Sequence, residues 1–180
     1  MNAPAPVFVV GTGRCGSTML SELLREHEHV LSISEFFSFT TDLGGRIAQG
    51  FAPEPIDAAA FWRIVGGAHP KQSTLLRHGV AMPEMLYRPS GSSRFSVDSG
   101  VPAILQAVLP HLSSDPDRLF AEVETFVASL PSAPVAEHYA RLFAWLTTRF
   151  GKRMWVERSG GSLRVVQRLI DAFPGARFLR

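Results

Sequence analysis

The chain has 180 residues, 46% of them apolar and 19% charged, which suits one domain with a sizeable buried core. A formal charge of +2 with no run of five or six basic residues argues against a nucleic-acid surface, and a single cysteine excludes an internal disulfide or a cysteine-rich metal site. The opening MNAPAP lacks a basic n-region and Val7 to Val10 is far too short for a signal core or a membrane span, so no span is expected and a cytoplasmic location is the default.

The four apolar residues Val7 to Val10 read as a buried strand, Gly11 to Gly16 as a loop with three glycines, and Ser17 to Glu28 as a helix with Leu20, Leu23 and Leu24 on its apolar face. Strand, tight turn and helix open a βαβ layout. Val30 to Ser34 forms a second short strand that leads into Glu35-Phe36-Phe37. From Asp42 to Pro89 prolines cut the chain into short helices, one spanning Asp57 to Val65. Three clearer helices follow at 101–112, 115–128 and 135–150, with Pro102, Asp115-Pro116 and Pro134 marking their starts and Gly151 an end. The last stretch returns to α/β grammar: a strand at 153–157, a polar glycine-containing turn, a helix at 162–173, a Pro-Gly turn and a strand at 176–180. The expected fold is therefore one α/β domain, a parallel sheet of the P-loop type flanked by helices. Its parts are an anion-binding βα unit (1–37), a mainly helical insertion (42–150) and a βαβ continuation (151–180).

Gly11, Gly13 and Gly16 permit positive φ and close backbone approach, so successive amides can converge on one anion, and the helix beginning at Ser17 adds unpaired N–H groups and its dipole. A Walker loop has the pattern GxxxxGKS/T; Gly11 and Gly16 keep that spacing, but Ser17 stands at the lysine position. The positive charge appears instead as Arg14, whose planar fork can take two oxygens at once.

GTGRCGSTML resembles the 5′-phosphosulfate loop of sulfotransferases that use 3′-phosphoadenosine 5′-phosphosulfate (PAPS). The resemblance implies a loop formed by Gly11, Thr12, Gly13, Arg14, Cys15, Gly16, Ser17 and Thr18, with Arg14 at the basic position and Ser17 and Thr18 binding the 5′-phosphate. Cys15 fills a position where the family often has serine, and a small packed residue explains it better than a nucleophile. The resemblance further implies PAPS as co-substrate, no metal, and a small-molecule or peptide hydroxyl as acceptor.

Glu35, in SISEFFSF, follows a predicted strand, and ligands of open parallel sheets collect at the carboxyl ends of strands. Aromatic neighbours would desolvate that carboxylate and suit it to general-base work. Bacterial and tyrosylprotein sulfotransferases place a catalytic glutamate in a similar setting, which implies Glu35 as the base, with Arg14 stabilising charge on the transferring group. The segment from Glu157 to Gly161 resembles the family's strand exit with a basic residue and a hydroxyl, and makes Arg158, then Ser159, further candidates; Ser162 reads as a helix cap.

Other residues carry less. The six histidines show no metal-ligand spacing and read as surface or capping residues; Trp62, Trp145 and Trp155 read as core; Arg94, Asp98 and Ser99 read as loop. The resemblance covers 7–37 and 135–180, and the family's 3′-phosphate site would follow a strand like ARFLR, so the sequence reads as the N-terminal portion of a longer sulfotransferase. A kinase or ATPase with a degenerate Walker loop is disfavoured by Ser17 and by the lack of a Walker B strand; a non-catalytic anion-binding domain is the other alternative.

Overall fold

A computed structural model describes residues 5–13, 16–91 and 93–180. In chain order its elements are strand β1 (Val7–Val10), helix α1 (Ser17–Arg25), β2 (Val30–Ser34), α2 (Phe36–Thr40), α3 (Ile47–Gly50), β3 (Pro55–Ile56), α4 (Ala58–Val65), α5 (Pro70–Arg77), α6 (Ala103–Gln106), α7 (Val108–Leu112), α8 (Pro116–Ala128), β4 (Ala133–Pro134), α9 (Val135–Arg149), β5 (Met154–Ser159), a 3-10 turn (Ser162–Val165), α10 (Val166–Ala172) and β6 (Arg177–Leu179). Among the described residues no helix is long and apolar enough to cross a membrane.

The central sheet is parallel with strand order β2-β5-β1-β6. Short apolar strands of this kind are stable only when both faces are covered, and all five residues of β2 are buried. Register sets Val9 and Ser34 on either side of Arg158, and Val10 beside Ser159. The carboxyl ends of β1, β2 and β5 thus finish together, bringing residues 11–13, 35 and 159–161 to one edge.

Strand alternation divides the core. On one face Phe8, Leu31, Ile33 and Trp155 join Phe37, Tyr139, Phe143 and Phe173 in an aromatic cluster, with Phe8 5.5 Å from Trp155 and 5.1 Å from Phe173 between ring centres. Such pairs add about 0.5–1.5 kcal/mol each beyond the area they bury. On the other face Val9, Val30 and Val156 meet Leu24 of α1.

Several elements depart from expectation for identifiable reasons. Helix α1 ends at Arg25 rather than Glu28, since the chain turns through His27, whose Nδ1 accepts from the His29 amide (3.1 Å). Of its expected leucine stripe only Leu24 faces the sheet: Leu20 is 37% and Leu23 63% exposed, while Ser21 is buried. The small Ser21 brings α1 close to β2, where its Oγ lies 3.0 Å from Ser32 Oγ. The helix expected at 101–112 breaks at Ala107, because Pro110 lacks an N–H and its ring would strike the carbonyl of Gln106. That carbonyl instead accepts from the amides of Leu86 (2.7 Å) and Tyr87 (3.1 Å).

The two-residue strands β3 and β4 pair antiparallel inside the helical middle; with Pro55 opposite Pro134 they carry no strand pattern. His69, His111 and His138 are buried rather than at the surface. His138 stacks on Phe61 (4.7 Å) with Nε2 2.9 Å from Ile56 O, and burial holds His69 and His111 below their ordinary pKa. The three tryptophans pack against the main core as expected. The expected helix at 162–173 opens as the 3-10 turn, with Gly161 rather than Ser162 at its cap position.

Tyr139 is fully buried and its hydroxyl donates to Gly50 O at 2.8 Å, tying α9 to the end of α3. Tyr139→Phe should strand that carbonyl and lower the unfolding free energy by about 1–3 kcal/mol. A reduced urea midpoint at unchanged m-value would record it.

Candidate active site

The loop after β1 keeps its backbone open. Gly13 (φ 83°) and Gly16 (φ 77°) take left-handed conformations, and Gly16 precedes α1 without a side-chain cap, leaving the first-turn amides for a ligand. Gly13, Gly16, Ser17 and Thr18 border a cavity of about 290 Å³ together with Glu35, Glu84, Arg158 and Gly160. Five of the residues expected to bind the donor, namely Gly13, Gly16, Ser17, Thr18 and Arg158, therefore share one space. Gly11 serves the scaffold: its amide donates to Ser162 Oγ (3.2 Å) and its carbonyl accepts from Leu163 N (3.3 Å). Thr12 borders the neighbouring cavity. Arg14 and Cys15 lie outside the described residues.

Glu35 lies one residue past β2 with φ 59° and ψ 21°, a left-handed conformation that costs a non-glycine residue on the order of 1–3 kcal/mol unless the surroundings enforce it. They do. Its amide donates to Arg158 O at 2.6 Å, and its carboxylate forms an ion pair with Arg158 Nη1. The Gly160 amide lies 3.1 Å from Oε1 and 3.0 Å from Oε2, and Ser38 Oγ lies 2.6 Å from Oε2. Both charged side chains are only 5–6% exposed. A side chain at Gly160 would stand 3.3 Å from Oε1, so the absence of a Cβ lets that amide approach.

Strand β5 extends to Ser159, two residues beyond expectation, so Arg158 and Ser159 belong to the strand rather than to its exit. Arg158 is 4% exposed, not solvated. The Glu-Arg-Ser triplet resembles a strand end only because its charges suggest water; here each finds a protein partner. Arg158 Nε is buried with no hydrogen-bond partner among the described residues, a donor suited to an anion in the cavity that Arg158 borders.

Alternation turns Glu157 to the opposite face, where it is fully buried. Ser159 Oγ donates to Glu157 Oε1 and accepts from the amides of Phe37 (2.9 Å) and Ser38 (3.2 Å), so the pair holds the start of α2 directly behind Glu35. Burial pushes the Glu157 carboxyl up to about 8, with the charge of Glu35 adding to the effect against the Ser159 hydrogen bond. Glu157 Oε2 has no partner among the described residues.

A second cavity, of about 450 Å³, adjoins the first. Gly13, Glu35, Glu84 and Gly160 border both. Ser38, the Gly160 amide and Glu84 escape sequence reasoning, and Glu157 enters it only as a neighbour of Arg158. Ser38, three residues after Glu35 at the start of a helix, had a local signal in its spacing; the others come from distant chain.

Comparison with curated proteins and with solved structures finds no match. A family model described as "Sulfotransferase family" matches residues 6–180, including the helical middle that the local resemblance leaves uncovered. The chain belongs to the sulfotransferase family.

Proposed function

We propose that this sulfotransferase moves a sulfuryl group from PAPS to an acceptor hydroxyl, with Glu35 as general base. The observation that carries the reading is the position of Glu35 on the boundary of two cavities, one bordered by the phosphate-type loop and the other by the helical middle. In-line transfer needs a base at such a meeting point.

The chemistry of the smaller cavity suits a phosphosulfate. Amides at the start of α1, the hydroxyls of Ser17 and Thr18 and the unpaired Nε of Arg158 offer donors to anionic oxygens. Gly11 and Thr12 shape the same loop, and Arg14 and Cys15 complete it in sequence. The donor supplies an activated sulfur with a good leaving group. An acceptor oxygen forms the new S–O bond, the bond from sulfur to the bridging phosphate oxygen breaks, and adenosine 3′,5′-bisphosphate leaves with that electron pair.

The acceptor's proton goes to Glu35 Oε2. Ser38 is arranged to permit this: its Oγ lies 2.6 Å from Oε2 and 2.9 Å from Gly160 O, so its single proton can turn to the carbonyl and free Oε2. Arg158 holds the other carboxylate oxygen in place. Residues 42–150 supply the acceptor side, and the protein acts in the cytoplasm.

Glu35→Gln keeps the side chain's shape and one oxygen for the Gly160 amide while removing the base and the charge that pairs Arg158. Transfer, followed as release of adenosine 3′,5′-bisphosphate, should fall by about 10²–10⁴-fold. A wild-type rate would overturn the assignment.

Glu157 gives a separate test. Its carboxyl keeps its proton to about pH 8 when folded but ionises near 4.5 when unfolded. Between those values the folded state binds more protons, so this group makes stability fall as pH rises, and its contribution is constant below and above the window. Chemical unfolding across pH 5–8 should show a flatter profile for Glu157→Gln than for wild type.

A further inference from the structure

The larger cavity sorts its lining by chemistry. Toward the sheet edge it carries the polar side chains of Thr12, Glu35, Ser38, Ser159 and Ser162 beside Phe37 and Phe39. Its wall from the helical middle is formed by Leu43, Ile47, Leu75, Val80, Met82 and Pro83, none of which carries a side-chain nitrogen or oxygen. The remaining charged side chains on the lining, Glu84 and Arg164, are exposed.

Backbone geometry fixes that wall. Asp42 (φ 51°) and Leu43 (φ 54°) both take left-handed conformations, and Asp42 is held there by accepting from the amides of Lys71 and Gln72, each at 3.1 Å, at the start of α5. The turn thus joins α5 to the segment that carries Leu43 and Ile47. Strained residues persist only where neighbours enforce them, and these two set a leucine against the cavity.

We infer that the acceptor is a small apolar alcohol, an aryl or alkyl body bearing one hydroxyl, with the hydroxyl at Glu35 and the body against the 43–83 wall. The inference rests on the transfer reading and names its acceptor class. A carbohydrate would press several hydroxyls against carbon, where each loses water without gaining a partner. A one-hydroxyl acceptor needs a single polar partner, and the rest of it gains by leaving water. A volume of about 450 Å³ is in the range of pockets that enclose a molecule of one or two rings.

Calorimetric titration with 2-naphthol and with N-acetylglucosamine, in the presence and absence of saturating adenosine 3′,5′-bisphosphate, tests the assignment. 2-Naphthol should bind about tenfold or more tightly than the sugar. Val80 is 46% exposed, so Val80→Asp should fold, and it should weaken 2-naphthol by about tenfold while leaving bisphosphate affinity unchanged. Sugar binding equal to or stronger than 2-naphthol, or 2-naphthol binding indifferent to Val80→Asp, overturns the inference. Bisphosphate binding without 2-naphthol binding refutes the acceptor class alone; 2-naphthol binding that responds to Val80→Asp without bisphosphate binding supports the pocket and refutes the donor.

Discussion

The buried ion pair between Glu35 and Arg158 is the interaction on which the rest of the site depends. Two charges this deeply buried are tolerable only when paired and hydrogen-bonded, and removal of one partner typically costs about 3–5 kcal/mol. Here the pair joins the ends of two neighbouring strands, and the backbone does the same, since the Glu35 amide donates to Arg158 O. Charge pairing and strand geometry therefore enforce one arrangement. That double constraint keeps a glutamate in a left-handed conformation which a glycine would adopt more readily. A carboxylate aimed by its own backbone toward the loop after β1 is the result.

Three consecutive residues of β5 divide the work by alternation. Arg158 points to the face that carries α1 and meets the carboxylate; Glu157 and Ser159 point to the other and hold the amides that begin α2. Because Glu35 immediately precedes α2, both faces of one strand control one side chain. The protonated state of Glu157 belongs to this economy: a second buried negative charge so near Glu35 would oppose the first, and keeping the proton removes that repulsion.

Much of this was legible in the sequence, where local pattern decides the outcome. VFVVGTG announces strand and open turn, SISEFF places a carboxylate at a strand end, and Asp115-Pro116 starts a helix whose Asp115 side chain does accept from Arg118 N at 3.1 Å. What escaped depends on residues far apart in the chain. Arg158 read as part of a strand exit because its partner Glu35 lies 123 residues away. Leu20 and Leu23 suggested a buried stripe, but a serine-to-serine contact decided which side of α1 faces the sheet. Buried histidines likewise gave no local sign: His69 meets Arg46 and His138 meets Ile56 O only through the fold, while His111 Nε2 and His138 Nδ1 have no hydrogen-bond partner among the described residues.

The two cavities draw on different parts of the chain, and this has a physical consequence. The smaller cavity is bordered by Gly13, Gly16, Ser17 and Thr18 and by the end of β5, whereas the apolar wall of the larger comes from 43–83, tied by the Gln72 side chain to Phe39 O of α2, which packs on β5. Among the described residues only Gly13, Glu35 and Gly160 at the edge, with Glu84, belong to both. A change of side chain in the wall can reshape the larger cavity without moving the amides at the start of α1. A change at the edge disturbs both at once, because the carboxylate, the Gly160 amide and the turn after β1 share one set of contacts. The two spaces can thus be altered separately everywhere except at the few residues that border both.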